Sequence, residues 1–324
     1  MSNTAASSHP STRETVIWVV SDGRRGIENQ ALGLAEAVST RLDRPARIHR
    51  VEVHSDGTVA LPAASTPDIW IGCGRAAVKL APRHRRVFAE TWFVYVQDPR
   101  TRHDLFDLIL APDHDRLVRG NAVSMLGSPN RISTAQLDAG KAQFADEIAA
   151  LPTPRAAVLI GGTSKRYRIT PEIAAYLEDR LDDLLDQGVS LMLTVSRRTP
   201  DRIRNRLTAR YADNPRVWVF DGEGENPYFA FLAAADWIFV TEESTNMLLE
   251  AGATGTPVYV LPMAGKPGKF ARLHAALEGR GVTRPYLGRL ERWTYMPLDE
   301  TGRMADRLIR RWKAGTAQMA EQGG

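Results

Sequence analysis

ADWIFVTEESTNMLLEAGATGTPVYVLP, residues 235–262, carries one whole unit of the architecture. Its apolar run Trp237-Ile238-Phe239-Val240 shows no polar alternation, as expected of a strand covered by helices on both faces of a parallel sheet. Polar residues follow at Thr241, Glu242, Glu243 and Ser244, and Ser244 is placed to cap a helix over 245–252. Such a helix aims its N-terminal N–H groups, and the positive end of its dipole, at the space beyond the carboxyl edge of the sheet. A second apolar run at 257–261 closes the unit as strand, loop, helix and strand.

The alternation continues in both directions. Back toward Pro154 it predicts strands over 156–160, 189–195 and 217–220, with helices over 171–187, 201–211 and 228–234. Earlier still, strands are predicted over 16–20, 46–53, 68–71, 92–96, 108–110 and 123–125. A helix over 29–42 is marked by Leu32, Ala35, Val38 and Leu42 at helical spacing, and a second helical stretch covers 134–151. Pro152-Thr153-Pro154 ends that stretch and stiffens a short extended link. The expectation is an α/β protein of two doubly wound, Rossmann-like domains facing a cleft, over 14–151 and 155–292. A last amphipathic segment covers 299–312, and polar tails at 1–13 and 314–324 are expected to be disordered.

Of 324 residues, 43% are hydrophobic and 25% charged, an ordinary globular composition with enough chain for two cores. No apolar run approaches the roughly 20 residues that span a bilayer, and the polar start MSNTAASSHPST lacks the apolar centre of a secretory signal. Cys73 is the only cysteine, which excludes an internal disulfide framework and fits a reducing cytoplasm, the expected location. The formal charge of +4 is a small excess. Its basic residues, in PRHRRV, RIRNRLTAR and RLIRRW, form no long run and carry no aromatic RNA-binding signature, so nucleic acid is not the expected partner. A solvated surface is the plain reading of these residues; an anionic small molecule or an anionic membrane surface fits the same charge.

Loops at the carboxyl ends of strands hold the chemistry-bearing residues, where open α/β sheets bind ligands. After the first strand come Ser21-Asp22-Gly23-Arg24-Arg25-Gly26 and then Gln30. Gly23 and Gly26 permit tight turning, and Asp22 puts a carboxylate at the cleft mouth, although an ordinary strand–helix turn would read the same way. The loop is neither a GxGxxG nor a Walker A loop. Gly72-Cys73-Gly74-Arg75 reads as a packed turn with Arg75 opening a helix; a nucleophilic Cys73 lacks a His or Asn signature. His103, Asp104, His114 and Asp115 fall in successive loops, match no metal-ligand spacing, and are read as cleft residues, so no metal is expected. In the second half, Gly161-Gly162-Thr163-Ser164 followed by Lys165 and Arg166 offers backbone N–H groups, hydroxyls and charge suited to a diphosphate, against the plainer reading of a glycine turn. Glu243, Asn246 and Glu250 stand at spacings of three, four and seven, which predicts them on or near one helix face. Glu250 is placed to accept both hydroxyls of a ribose. The alternative is a solvated helix residue, although Ala251, Gly252 and Ala253 predict close packing, where a carboxylate needs a partner.

The segment from Ser244 to Val258, with Met247, Glu250, Ala251 and Pro257, resembles the donor site of GT-B glycosyltransferases such as the lipid II and lipid A disaccharide synthases. From about residue 17 to 312 the chain also resembles the plant "elongated mitochondria" fission family and its bacterial members. That likeness rests on Ser21-Asp22-Gly23 with Gly26 and Gln30, Gln97-Asp98-Pro99, Pro112-x-His114-Asp115, Gly161-Gly162-Thr163-Ser164, Glu243-Ser244-x-x-Met247-x-x-Glu250-Ala251 and Trp293-x-Tyr295-x-Pro297-Leu298-x-Glu300-Thr301. The resemblance implies a GT-B-like fold whose C-terminal segment, 293–313, crosses back to the N-terminal domain. It implies a donor diphosphate near Gly161, Gly162, Thr163, Ser164, Ser244 and Thr245, a ribose on Glu250, and a base near Phe220, Asn226 and Tyr228. Thr245 stands where a glycine often follows the serine, a departure at the phosphate. Asp22, Gly23, Arg24, Gly26 and Gln30, with Arg75 and His114, form the acceptor side. The implied activity is transfer from a nucleoside-diphosphate sugar, with no other cofactor, to an unknown acceptor. A lipid or envelope glycan at the inner membrane face is the acceptor class expected. Asp22 is the expected base by position, Asp98 the second choice. Two alternatives stand beside it: a sugar-nucleotide epimerase of the same fold, and a non-catalytic adaptor bound peripherally to a membrane.

Overall fold

The computed structural model describes residues 13–62, 66–196 and 198–322, so the expected N-terminal tail lies almost wholly outside the described residues. The first sheet is built from β1 (Val16–Ser21), β2 (Arg47–Glu52), β3 (Ile69–Cys73), β4 (Trp92–Val96), β5 (Leu108–Pro112) and β6 (Ala122–Met125), all parallel, in the order β2-β1-β3-β4-β5-β6. Helix α1 (Arg25–Ser39) starts four residues before the predicted 29, directly after the glycine turn, and α2 (Arg75–Val87) follows β3. The apolar faces of β1, β3, β4 and β5 are sealed on both sides, which is why these runs show no polar alternation.

The second sheet contains β7 (Arg155–Ile160), β9 (Ser190–Val195), β10 (Val217–Phe220), β11 (Trp237–Thr241), β12 (Val258–Leu261) and β14 (Thr283–Pro285), in the order β10-β9-β7-β11-β12-β14. Helices α5 (Pro171–Asp186), α6 (Asp201–Tyr211), α7 (Tyr228–Ala234), α8 (Thr245–Gly252) and α9 (Ala271–Gly279) cover it. A small antiparallel pair, β8 (Tyr167–Arg168) with β13 (Ala264–Gly265), ties the loop after β7 to the loop after β12. Two-residue strands and α9 have no periodic pattern long enough to be read from sequence.

Between the sheets the chain crosses twice. The predicted helix over 134–151 is two pieces, α3 (Thr134–Gln143) and α4 (Ala145–Ala150), broken at Phe144. Both pack on the second sheet's layer. Gly140 lies so close to Phe229 and Ala230 that a Cβ would fall 2.8 Å from one and 2.9 Å from the other. Phe144 and Ile148 bury against Ala230 and Trp218. The first crossing therefore lies between β6 and α3, ahead of the expected boundary at 152–154; the prolines there end a helix but do not separate the layers. The return crossing enters α10 (Glu300–Gln322), whose Met304, Ala305 and Leu308 are buried in the first sheet's core beside α1. This helix continues through 314–322, where a tail is expected from the sequence. The crossings are bonded to each other: Leu126 N–H donates to Glu300 Oε2 at 2.8 Å, and Asn130 N–H to Thr301 Oγ1 at 2.9 Å. No helix among the described residues is long and apolar enough to cross a membrane.

One core contact gives a pH-dependent stability. Trp70, stacked on Phe93 with ring centroids 5.0 Å apart, donates Nε1–H to Nδ1 of the buried His84 at 3.0 Å. Burial holds the His84 imidazole down to about 4, so it is neutral in the fold at physiological pH. A histidine depressed in the folded state contributes stability that is complete above its unfolded value near 6.5 and is lost as pH falls toward 4. Urea unfolding at pH 7 and pH 4.5 is expected to show a loss on the order of 2 kcal/mol from this residue. In His84→Gln, which keeps an acceptor for Trp70, that part of the pH slope should vanish. An unchanged slope would remove His84 as its source.

Candidate functional site

The strand order of the second sheet reverses between β7 and β11, so the loops following these strands diverge and open a crevice. They are Gly161-Gly162-Thr163-Ser164 and Glu242-Glu243-Ser244. Glu243 lies just before α8, and its side chain turns back under the glycines instead of lying on the helix face predicted for it. Its Oε1 accepts the Gly162 N–H at 2.8 Å, and a Cβ on Gly161 would overlap that oxygen. Burial pushes the Glu243 carboxyl up, opposed by hydrogen bonds from Thr241 and Gly162 and by Arg198, whose Nη2 is 4.0 Å away. Glu243 Oε2 is buried without a partner.

The glycine loop differs from its expected role. Gly161 N–H goes to Thr241 Oγ1 at 2.8 Å, Gly162 N–H to Glu243, Thr163 N–H to the Arg198 carbonyl at 3.2 Å, and Ser164 N–H to the Tyr167 carbonyl at 2.9 Å. Ser164 Oγ accepts from Arg166 N–H and Tyr167 N–H. All four N–H groups thus hold the turn together, and Thr163 Oγ1 with the exposed Lys165 and Arg166 remains on its outer rim. The open donors are on the other loop. Ser244 makes no capping bond to α8, contrary to expectation, and the N–H groups of Asn246 and Met247 find no partner among the described residues. An uncapped helix start at a switch point is suited to an anion. Thr245 opens this helix, its own N–H reaching back to the Glu243 carbonyl at 3.2 Å.

Asn246 faces the first sheet. Its Oδ1 accepts from Ser128 Oγ at 3.2 Å, and its Nδ2 is 3.9 Å from where a Gly26 Cβ would stand. Further along α8, Glu250 is half-buried, and Oε2 accepts the Tyr228 hydroxyl at 2.5 Å. Burial pushes Glu250 up to about 7 and outweighs that bond; burial also holds the Tyr228 hydroxyl in its neutral form. Tyr228 and Phe220 pack on the same core, and Asn226 Oδ1 accepts the Tyr228 N–H at 3.1 Å to start α7. The structure therefore brings together Tyr228 with Glu250, and Gly161 and Gly162 with Glu243.

On the first sheet the order reverses between β1 and β3. Gly23, at φ 72°, turns the chain beside Glu52, and Asp22 is clasped by Arg24, with Nε 3.1 and 3.0 Å from its two oxygens and Nη2 at 2.8 Å. The Arg24 guanidinium holds the Asp22 carboxyl below its usual range, which weakens it as a base. Gln30 explains its spacing from Gly26: Nε2 donates to the Gly26 carbonyl at 2.9 Å, and Oε1 accepts from Gln97 Nε2 at 2.8 Å. Asp98 accepts from Arg100 N–H, Arg100 Nη1 and His103 Nε2 at 2.8, 3.0 and 3.0 Å. Arg75 is exposed at the start of α2, and burial pushes the Cys73 thiol up to about 12, far from a nucleophile's range.

His114 meets Phe270 edge-on at 4.9 Å, and beside it Asp115 binds Lys269 at 2.5 Å, a contact between the halves. A cavity of about 350 Å³ opens here between Asp113, His114 and Leu126 on one side and Arg272, Leu273 and Ala276 on the other. Lys269 was missed in the sequence reading, although Gly265-Lys266-Pro267-Gly268-Lys269 has the same glycine-and-basic character after a strand as 161–166.

A family model described as Mitochondrial fission ELM1 matches residues 25–312. The mitochondrial fission protein ELM1 of Arabidopsis thaliana is 32% identical over 271 residues, 75% of this chain and 64% of the plant protein, so the match spans less than two thirds of that relative. Among solved structures, a putative UDP-N-acetylglucosamine 2-epimerase from Listeria monocytogenes is similar at TM-score 0.58 and 11% identity, over 94% of this chain and 98% of that one. The Methanocaldococcus jannaschii UDP-GlcNAc 2-epimerase in complex with UDP-GlcNAc and UDP is similar at TM-score 0.52 and 11% identity, over 92% and 99%. These likenesses show a GT-B-like fold of two parallel-sheet α/β domains. With the family match covering most of its length, the chain belongs to the mitochondrial fission ELM1 family.

Proposed function

We propose that the chain binds a nucleoside-diphosphate sugar at the start of α8 and transfers the sugar to an acceptor held by the loops of the first sheet. The observation that carries this is the uncapped N-terminus of α8 at the switch point, with Glu250 about a turn behind it. The diphosphate would take the Asn246 and Met247 N–H groups, and Lys165 and Arg166 would add charge from the rim. The ribose hydroxyls would meet Glu250, with the base toward Tyr228, Phe220 and Asn226. Asn246, placed between both halves, would feel donor and acceptor together. A lipid or envelope glycan at a membrane surface is the acceptor class proposed. The bound UDP-GlcNAc of the archaeal structure supports this donor class by fold likeness.

Calorimetry against UDP-, GDP-, dTDP- and CMP-sugars is expected to find one nucleotide class bound with Kd below 1 mM, stronger than about −4 kcal/mol. Incubation with that sugar nucleotide alone then separates the chemistries. A transferase leaves the sugar's configuration unchanged in the absence of acceptor, and an epimerase alters it. No binding by any sugar nucleotide at millimolar levels would leave the adaptor reading in place of both.

A further inference from the structure

We infer that His103 is the general base of the acceptor side, held by Asp98 through Nε2 and presenting Nδ1 to the acceptor hydroxyl. This rests on the transferase reading above. Asp98 already accepts from the Arg100 guanidinium and the Arg100 N–H. It meets His103 as an acceptor, so the hydrogen of that 3.0 Å contact belongs to Nε2. In the neutral imidazole Nδ1 then carries the lone pair. It has no hydrogen-bond partner among the described residues and is not one of their fully buried unpartnered atoms, although most of the side chain is covered. A base fixed by a carboxylate on one nitrogen and free on the other is the arrangement that activates a nucleophile. Asp98 already accepts from three donors and Asp22 is clasped by Arg24, so neither carboxylate is as free to take a proton.

The surroundings place this pair at the cleft. Gln97, next to Asp98, is bonded through Gln30 to the Gly26 turn. On the other side Arg100 reaches Asp115 at 3.0 Å, and Asp115 reaches Lys269 of the second half. The backbone is also strained. Gln97, Arg100 and Arg102 all have positive φ, at 80°, 66° and 57°, in a stretch of six residues that ends directly before His103. Non-glycine residues in that region cost about 1–3 kcal/mol each and persist where something else requires the geometry. In the step itself, the acceptor O–H bond breaks and its proton passes to Nδ1. The oxygen bonds to the anomeric carbon, and the carbon–oxygen bond to the diphosphate breaks, its electron pair leaving with the nucleoside diphosphate. The imidazolium faces Asp98 and returns the proton to water.

Ring-nitrogen NMR of the wild-type protein tests the arrangement without substrate: Nε2–H with a bare Nδ1 is expected for His103, and the opposite tautomer overturns the inference. The chemistry is tested with UDP-GlcNAc, or whichever sugar nucleotide calorimetry selects, by nucleoside diphosphate release with water as acceptor. His103→Ala is expected to lower kcat by at least a hundredfold, the size of a lost general base, at unchanged Kd. Added imidazole should restore part of the rate, which a merely structural role would not allow. Wild-type turnover in His103→Ala, or a loss that imidazole leaves untouched, overturns the assignment while the donor site stands. Failure of the wild type to bind any sugar nucleotide overturns the transferase reading and this base with it.

Discussion

Alanine at Gly161 is expected to abolish sugar-nucleotide binding and to cost the fold roughly 3 kcal/mol. The added methyl would overlap Oε1 of Glu243, and that carboxyl has nowhere to go. Its side chain is fully covered, its Oε2 already lacks a partner, and its Oε1 is the acceptor that holds the Gly162 N–H. Displacing it combines overpacking, typically 1–3 kcal/mol, with a buried N–H left unmade at about 1 kcal/mol. Because Glu243 also leads into α8, the shift would move the helix start proposed to hold the diphosphate. Glu243→Ala alone should be milder, since it leaves the Gly162 N–H without its acceptor but removes the unpaired oxygen and adds no overpacking. The double variant should therefore recover most of what Gly161→Ala loses, a coupling readable in urea unfolding. Additive losses, or a Gly161→Ala protein that binds donor normally, would mean the two loops are not coupled through this contact.

What could be read from sequence follows from how local each signal is. The parallel strands were legible because β1, β3, β7 and β11 are short, unbroken apolar runs, and burial on both faces writes itself directly into composition. Glu250 was legible as a carboxylate needing a partner, and Tyr228 as a residue near the base; that the two form a pair was not, since 22 residues separate them. The hydrogen-bond accounting was out of reach. Gly161–Ser164 looks like a phosphate cradle in any sequence, yet Thr199 and Glu243 decide whether the loop is open. Thr199 Oγ1 donates to the Gly161 carbonyl at 2.6 Å, the Arg198 carbonyl takes the Thr163 N–H, and the loop is closed. Where the chain passes between the layers was out of reach for a similar reason. Two prolines report that a helix stops, but which layer that helix packs on depends on Phe144 finding Trp218, a contact between distant segments.

Glu250→Ala is expected to weaken nucleotide binding by about tenfold to a hundredfold, the 1.5–3 kcal/mol of charge-assisted bonds to a ribose diol. It should also destabilise the fold, because the Tyr228 hydroxyl that now donates to Glu250 would be left buried without an acceptor, at about 1–3 kcal/mol. Tyr228→Phe in the same background should return that stability but none of the affinity, which separates the two roles. The pH dependence has a definite sign. Burial raises Glu250 to about 7, so below that pH the carboxyl is protonated in the fold, and a ligand that requires the carboxylate must first displace the proton. Affinity should therefore fall up to tenfold for each pH unit below 7 and level off above it. Stability runs the other way. A carboxyl raised in the folded state favours the fold at low pH, and its contribution declines as pH rises from the unfolded value near 4.5 toward 7. Binding calorimetry between pH 5.5 and 8.5 on the wild type and Glu250→Gln reads the affinity, and urea unfolding over the same range reads the stability; the amide cannot ionise and should bind weakly at every pH. Equal affinity of the two proteins at pH 8, or a wild-type curve flat across pH 7, would take Glu250 out of the donor site and leave the nucleotide there resting on the uncapped start of α8 alone.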